Sequence, residues 1–275
     1  MNNPLTVVVE TLRVPDAVLH YEVRGRGPLV VLVGAPMDAG AFVGLADLLA
    51  VDHTVLTTDP RGINRSSVSD PSLDSTPEMR ADDLARLIRH VDAGPALVLG
   101  SSGGAVSALA LVEAHPELVH TVVAHEPPLL ELLPDRDELR AGTEEIIALH
   151  AAGDVVGAWR KFLDQANIVM PEEVFQMMFA GERSEQQIAD DRFQHEHMMR
   201  PTIAFQPDVA VLRSAPVRVV IGIGEESAGQ ICDRTARALA VEVGVEPTMF
   251  PGDHIGFVQD PGAFEVRLRE VLKDV

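Results

Sequence analysis

Apolar and polar positions alternate from the start of the chain. The stretches "LTVVVETLRV" (5–14) and "AVLHYEVRG" (17–25), separated by Pro15 and Asp16, predict two strands. "GPLVVLVGAP" (27–36) is instead a continuous apolar run, the pattern of a strand buried on both faces. Helical and strand periods then take turns. "GAFVGLADLLAVD" predicts a helix and "HTVLTTDPRG" a strand running into a loop. "TPEMRADDLARLIRHVDAG" carries its own helix boundaries, with Thr76 as cap, Pro77 in the first turn and Gly94 at the close. "PALVLG", "GGAVSALALVEAHPE" and "LVHTVVAHEPP" repeat strand, helix, strand. Such a succession predicts an α/β fold with a mostly parallel, doubly wound sheet.

The rhythm stops after Pro128. Residues 129–214 show no strand pattern, only helical patches such as "DRDELRAGTEEIIALHAAG", "DVVGAWRKFLDQANIV" and "PEEVFQMMFAG". This reads as a helical insertion between two parts of one core, 1–128 and 215–275. Alternation resumes with "APVRVVIGIGEES", "AGQICDRTARALAVEVG" and "VEPTMFPGDH". It ends in the helix "DPGAFEVRLREVLKDV", where Phe264, Leu268, Val271 and Leu272 share a face. There is no internal repeat and no low-complexity tract. A length of 275 residues with 46% hydrophobic content is enough for one sizeable core plus an insertion.

Charge removes two partner classes. Forty-two acidic against 22 basic side chains give a net charge of −20, which repels nucleic-acid phosphates and anionic membrane surfaces. Lys161 and Lys273 are the only lysines, and no basic tract occurs. A single cysteine, Cys232, excludes an intramolecular disulfide or a cysteine metal cluster and suggests a reducing compartment. "MNNPLTVVVETLRV" has no basic region followed by an apolar core and cleavage site, and no apolar run reaches membrane-spanning length, so a cytoplasmic location is expected.

The chemistry centres on "VLGSSGGAVSALAL" (98–111). In the frame G-x-S-x-G, Gly100 and Gly104 flank Ser102 at a strand-to-helix corner, which lifts its hydroxyl clear of the sheet and aims a helix N-terminus at it. Ser101 is not centred between the glycines and is set aside as nucleophile. A serine needs a base, and the base a carboxylate. His254, in "FPGDHIGF" after the last apolar strand, is placed for the first role. Glu225 and Glu226, in "IGIGEES" at the end of the preceding strand, are placed for the second.

Together these stretches resemble an α/β-hydrolase over essentially the whole chain. "GSSGG" resembles the nucleophile elbow, "DPRGINRSS" the loop after the fourth strand, "FPGDHIGF" the catalytic-histidine loop, and "LVVLVGAP" the turn that supplies half of the oxyanion hole. The resemblance implies a Ser–acid–His triad on Ser102 and His254, with an oxyanion hole from the amides of Ala35 and Gly103. Two positions depart from the usual pattern. Val33 and Gly34 stand where many members have His-Gly, and glutamates stand where an Asp is common. Spacing from Gly222 favours Glu225, and the glutamate-serine ending favours Glu226, the choice made here. Glu126 in "AHEPP" is a third candidate, read as a pocket-wall carboxylate rather than the triad acid.

The insertion is expected to form a lid, with Phe175, Met177, Met178, Phe179, Met198 and Met199 available for an apolar acyl pocket or for helix packing. His195 and His197 are two apart, so "HEH" lacks the spacing of a zinc helix, and no metal is expected. The implied activity is a cofactor-free, carboxylesterase-like serine hydrolase acting on a small ester or thioester. Acyl transfer, thioester release, perhydrolysis and C–C cleavage are the enzymatic alternatives, and a ligand-binding protein that has kept the fold is the non-enzymatic one. No nucleic acid or membrane partner is expected, and a homodimer stays open.

Overall fold

The first two stretches pair as an antiparallel ribbon. Strand β1 (Val7–Val14) lies against β2 (Ala17–Arg24), from Val7 opposite Arg24 to Val14 opposite Ala17. The computed structural model describes residues 6–273. Leu5, at the head of the first expected strand, and Asp274 and Val275, at the tail of the last expected helix, lie outside the described residues.

The continuous apolar run forms β3 (Leu29–Val33), buried along its whole length. Its side chains alternate between two cores, as strand geometry requires. Val31 and Val33 join the layer containing Leu84, Leu109 and Leu239, from the helices Pro77–Val91, Gly103–Ala114 and Ile231–Val243. Val30 and Leu32 join the opposite layer with Phe42, Leu45, Phe257, Phe264 and Leu268. The remaining strands are β4 (Thr54–Thr58), β5 (Ser67–Val68), β6 (Ala96–Ser101), β7 (Val119–His125), β8 (Arg218–Gly224) and β9 (Thr248–Phe250). Their order is β1-β2-β4-β3-β6-β7-β8-β9, with β5 beside β2, and pairing is parallel from β4 through β9.

This order positions the site. Strand β3 has β4 on one side and β6 on the other, so the chain leaves β3 and β6 in opposite directions. A crevice opens where neighbouring connections diverge, at the carboxyl ends of these two strands. The turn after β3 and the serine turn after β6 both face it.

Two local details differ from expectation. Thr76 caps its helix, accepting from the Met79 amide at 3.3 Å, but the helix closes at Asp92, in the left-handed conformation at φ 50°. Gly94 turns the chain two residues later, at φ 89°. The short β5 was not expected, since two residues carry no readable period.

Among the described residues, 129–214 hold helices and no strand. The last of these, Val209–Ser214, belongs with the sheet layers, because Leu212 is buried in the same core as Leu239. The others are fastened to the core at several points. The Asn64 amide donates to Asp190 at 2.8 Å and the Ser75 amide to the His197 carbonyl at 2.9 Å. Buried Arg80 donates to Ser107 Oγ at 2.8 Å, to Thr202 Oγ1 at 2.9 Å and to the Ser75 carbonyl, joining the helix Gly103–Ala114 to the insertion. Its hydrogen-bond partners are all neutral, and burial pushes its guanidinium below the ordinary value. No helix among the described residues is long and apolar enough to cross a membrane.

Candidate active site

Ser102 sits at the corner between β6 and the helix Gly103–Ala114, at φ 55° and ψ −129°. A non-glycine residue held there is strained, and it is kept in place by its amide, which donates to the His125 carbonyl at 3.0 Å. The glycines explain how the corner closes. A Cβ on Gly100 would lie 2.4 Å from the Gly104 carbonyl oxygen, and one on Gly104 would lie 2.2 Å from that of Val33. Ser101 is fully buried and its hydroxyl lies 3.2 Å from His125 Nδ1, away from the cavity that Ser102 lines.

The acid facing His254 is not the one chosen from sequence. Glu226 and Glu225 are exposed, on a loop whose amides donate to the Gly252 and Phe250 carbonyls at 2.9 Å each. That pairing carries the loop over the β9 end, and neither carboxylate bonds to His254. Glu126, directly after β7, does so: its Oε2 lies 2.5 Å from His254 Nδ1, and its Oε1 accepts from the Gly224 amide at 2.8 Å. Glu126 is fully buried and also occupies the left-handed region, at φ 51°. Burial alone raises a carboxyl pKa. Here the His254 hydrogen bond and the nearby imidazoles of His125 and His254 outweigh it and hold Glu126 at about 2. An ionised carboxylate only accepts, so Nδ1 of His254 is the donor in this bond, and the tautomer of the neutral imidazole that fits it has its lone pair on Nε2.

Ala35 and Gly103 meet beside Ser102. A Cβ on Gly103 would lie 2.5 Å from the Ala35 carbonyl oxygen, so the two backbones touch. The Ala35 amide makes no hydrogen bond among the described residues. Gly103 opens its helix, where an amide has no intrahelical acceptor. Two free donors thus flank the serine.

These residues share a cavity of about 150 Å³, lined by Ser102, Gly103, Ala35 and His254 on the core side. Ile146, Phe162, Met198, Met199 and Ile203 close it from the insertion. Of the side chains offered for this role, Met198 and Met199 take it. Met177 and Met178 project to solvent, and Phe179 stacks on Trp159 at 4.6 Å, with Phe175 5.2 Å from it. Cys232 also lines the cavity, and burial pushes its thiol up, so it stays protonated. Among the described residues no hydrogen bond joins Ser102 to His254, a contact that often tightens only with substrate bound.

One cluster escaped sequence reasoning. His150, Asp191 and His195 come within 4.8 Å of one another through the fold of the insertion, while His197 pairs with Asp74 instead. The two clustered imidazoles stack at 4.1 Å with planes 5° apart. Their in-plane lone pairs therefore run in parallel planes and do not converge on one ion. His150 bonds Asp191 at 2.9 Å and His195 Nδ1 meets the Asp191 carbonyl at 2.7 Å, so the His150–Asp191 bond ties helix Arg136–Ala151 to helix Glu185–Phe193.

The elbow, the histidine loop and the switch-point crevice define a hydrolase of the α/β class, and comparison with known proteins agrees. The family model for the alpha/beta hydrolase fold matches residues 27–163. The chain is 32% identical to the protein named "uncharacterized hydrolase YraK" of Bacillus subtilis (strain 168), over 98% of this chain and 97% of that one. The chain therefore belongs to the α/β-hydrolase family. It is also 26% identical to a zearalenone hydrolase of Bionectria ochroleuca, over 92% and 94% of the two chains. A thermophilic esterase from Thermogutta terrifontis shares the fold, with a TM-score of 0.69 at 18% identity over 99% of each chain.

Proposed function

We propose that this hydrolase cleaves a carboxylic ester or thioester of a small, partly hydrophobic substrate through an acyl-enzyme on Ser102. Nε2 of His254 takes the Ser102 proton as the hydroxyl oxygen attacks the carbonyl carbon. The Ala35 and Gly103 amides receive the negative charge that develops on the carbonyl oxygen. When the carbon–oxygen or carbon–sulfur bond breaks, His254 returns the proton to the leaving alcohol or thiol. Water, deprotonated by His254, then releases the acid and frees Ser102. Glu126 is the orienting acid in this reading, holding the His254 tautomer and stabilising its cation. The helical insertion serves as a lid over the acyl site.

The observation that carries the reading is the Glu126–His254 pair, which leaves a basic Nε2 in the cavity that holds the strained serine. A fluorophosphonate probe with peptide mapping tests it. Modification is expected at Ser102 in the wild type, to be lost in Ser102→Ala and strongly slowed in His254→Ala. Folded wild-type protein that stays unlabelled at Ser102 would overturn the mechanism.

A further inference from the structure

Charged side chains make up 23% of the chain, yet among the described residues no Asp, Glu, Lys or Arg lines the cavity at Ser102. We infer that the substrate group bound there is uncharged, about the size of one ring or a short chain, and carries a neutral hydrogen-bonding oxygen away from the scissile carbonyl. This rests on the serine-hydrolase reading above.

Away from the Ala35 and Gly103 amides and His254, which serve the scissile carbonyl, the described lining holds no cation to neutralise an anion. Arg80 is the guanidinium behind the wall, but its Nη2 is committed to Thr202 Oγ1, and the Thr202 hydroxyl donates to the Met198 carbonyl at 2.7 Å. The cation is therefore screened from the cavity by a hydroxyl with no free donor. On the opposite side the buried, ionised Glu126 adds negative potential behind His254. A carboxylate or phosphate entering this space away from the scissile carbonyl would lose its hydration and gain only neutral carboxamide donors, with no cation to offset its charge, which is unfavourable. A cation fares no better, since among the described residues no carboxylate lines the cavity and Cys232 stays a neutral thiol.

What the lining does offer is neutral. Gln165 Nε2 donates to Thr143 Oγ1 at 3.0 Å, whereas the side chains of Gln194 and Gln230 make no hydrogen bond among the described residues. Each presents one donor and one acceptor group, the complement of a carbonyl, hydroxyl or ether oxygen. A cavity of about 150 Å³ is comparable to one that holds a benzene ring, which bounds the buried group.

Two fluorophosphonates matched in chain length at about six carbons, one ending in methyl and the other in carboxylate, test the inference. The second-order rate of Ser102 modification is measured for each at pH 7, in low salt and in about 0.5 M NaCl. The methyl probe is expected to label at least about 100-fold faster, with the gap persisting in high salt. Equal rates, or a faster carboxylate probe, would overturn the inference while leaving the hydrolase reading intact. So would a gap that vanishes in salt, because the cause would then be the surface charge of the whole protein. If neither probe labels folded protein, the hydrolase reading itself fails and the inference falls with it.

Discussion

Replacing Glu126 by Gln changes one atom and tests the site at its most constrained point. The carboxamide can adopt two orientations, and the Gly224 amide, 2.8 Å from Oε1, makes both unfavourable. With the amide oxygen toward Gly224, the NH2 group faces His254 Nδ1. The ring must then present a lone pair at Nδ1 and a proton at Nε2, the wrong tautomer for a base, at a cost of about 10⁴-fold in kcat. With the carboxamide flipped, the tautomer is right, but two donors meet at Gly224 and the His254 cation loses its charged partner. An unsatisfied donor costs about 1–3 kcal/mol and a charge-assisted bond about 1.5–3 kcal/mol, which together give roughly 10²- to 10⁴-fold. Glu126→Gln is therefore expected to lower kcat for a p-nitrophenyl ester within that range while circular dichroism shows a folded protein. Glu226→Gln, altering an exposed side chain, is expected to stay within about twofold of wild type. Full activity in Glu126→Gln, or a comparable loss in Glu226→Gln, would refute the assignment.

Two further outcomes follow from the same geometry. Because Glu126 is held at about 2, below its ordinary 4.5, the carboxylate stabilises the fold above pH 4.5, and that contribution is lost as pH falls toward 2. The stability difference between wild type and Glu126→Gln in denaturant titrations should shrink by about 3 kcal/mol from pH 7 to pH 2, and a constant difference would contradict it. Gly104→Ala would push a methyl into the Val33 carbonyl at 2.2 Å, against backbone that cannot rotate away. A loss of about 1–3 kcal/mol is expected, read as a Tm lowered by roughly 2–10 °C, together with reduced kcat as the Ala35 turn shifts; an unchanged Tm would count against the close approach.

That Ser102 and His254 would reach one cavity was legible in the sequence because each sits in a short contiguous signal dictated by local geometry. The glycines at 100 and 104 are needed wherever this corner is built, whatever surrounds it. The carboxylate that faces His254 was not legible in the same way. Strands β7 and β8 are neighbours and each ends near carboxylates, so the choice depends on which loop turns inward, a tertiary matter. The amides of Glu225 and Glu226 pair with the β9 loop and send their side chains out, whereas Glu126 turns under His254 at a positive φ. "AHEPP" held a clue, since an acid between an apolar strand and two prolines has little freedom to reach solvent. In the insertion, amphipathic periods revealed helices but not which of them would meet the cavity. The switch to a π turn at Gln194–Met198, from which Met198 reaches the cavity, leaves no periodic trace.

The loop after β4 is matched to the insertion it touches. Gly62, at φ 80°, lies under the Phe193 ring, where a Cβ would come within 2.2 Å of it, and the Asn64 amide two residues on grips Asp190. The loop "DPRGINRSS" thus doubles here as a socket cut to one particular insertion. Transplanting a different helical segment onto this scaffold would leave the socket empty or clashing unless residues 62–64 travelled with it. Substrate range in such a lineage would then diversify by paired inheritance of loop and insertion, two segments more than 120 residues apart that behave as one heritable unit.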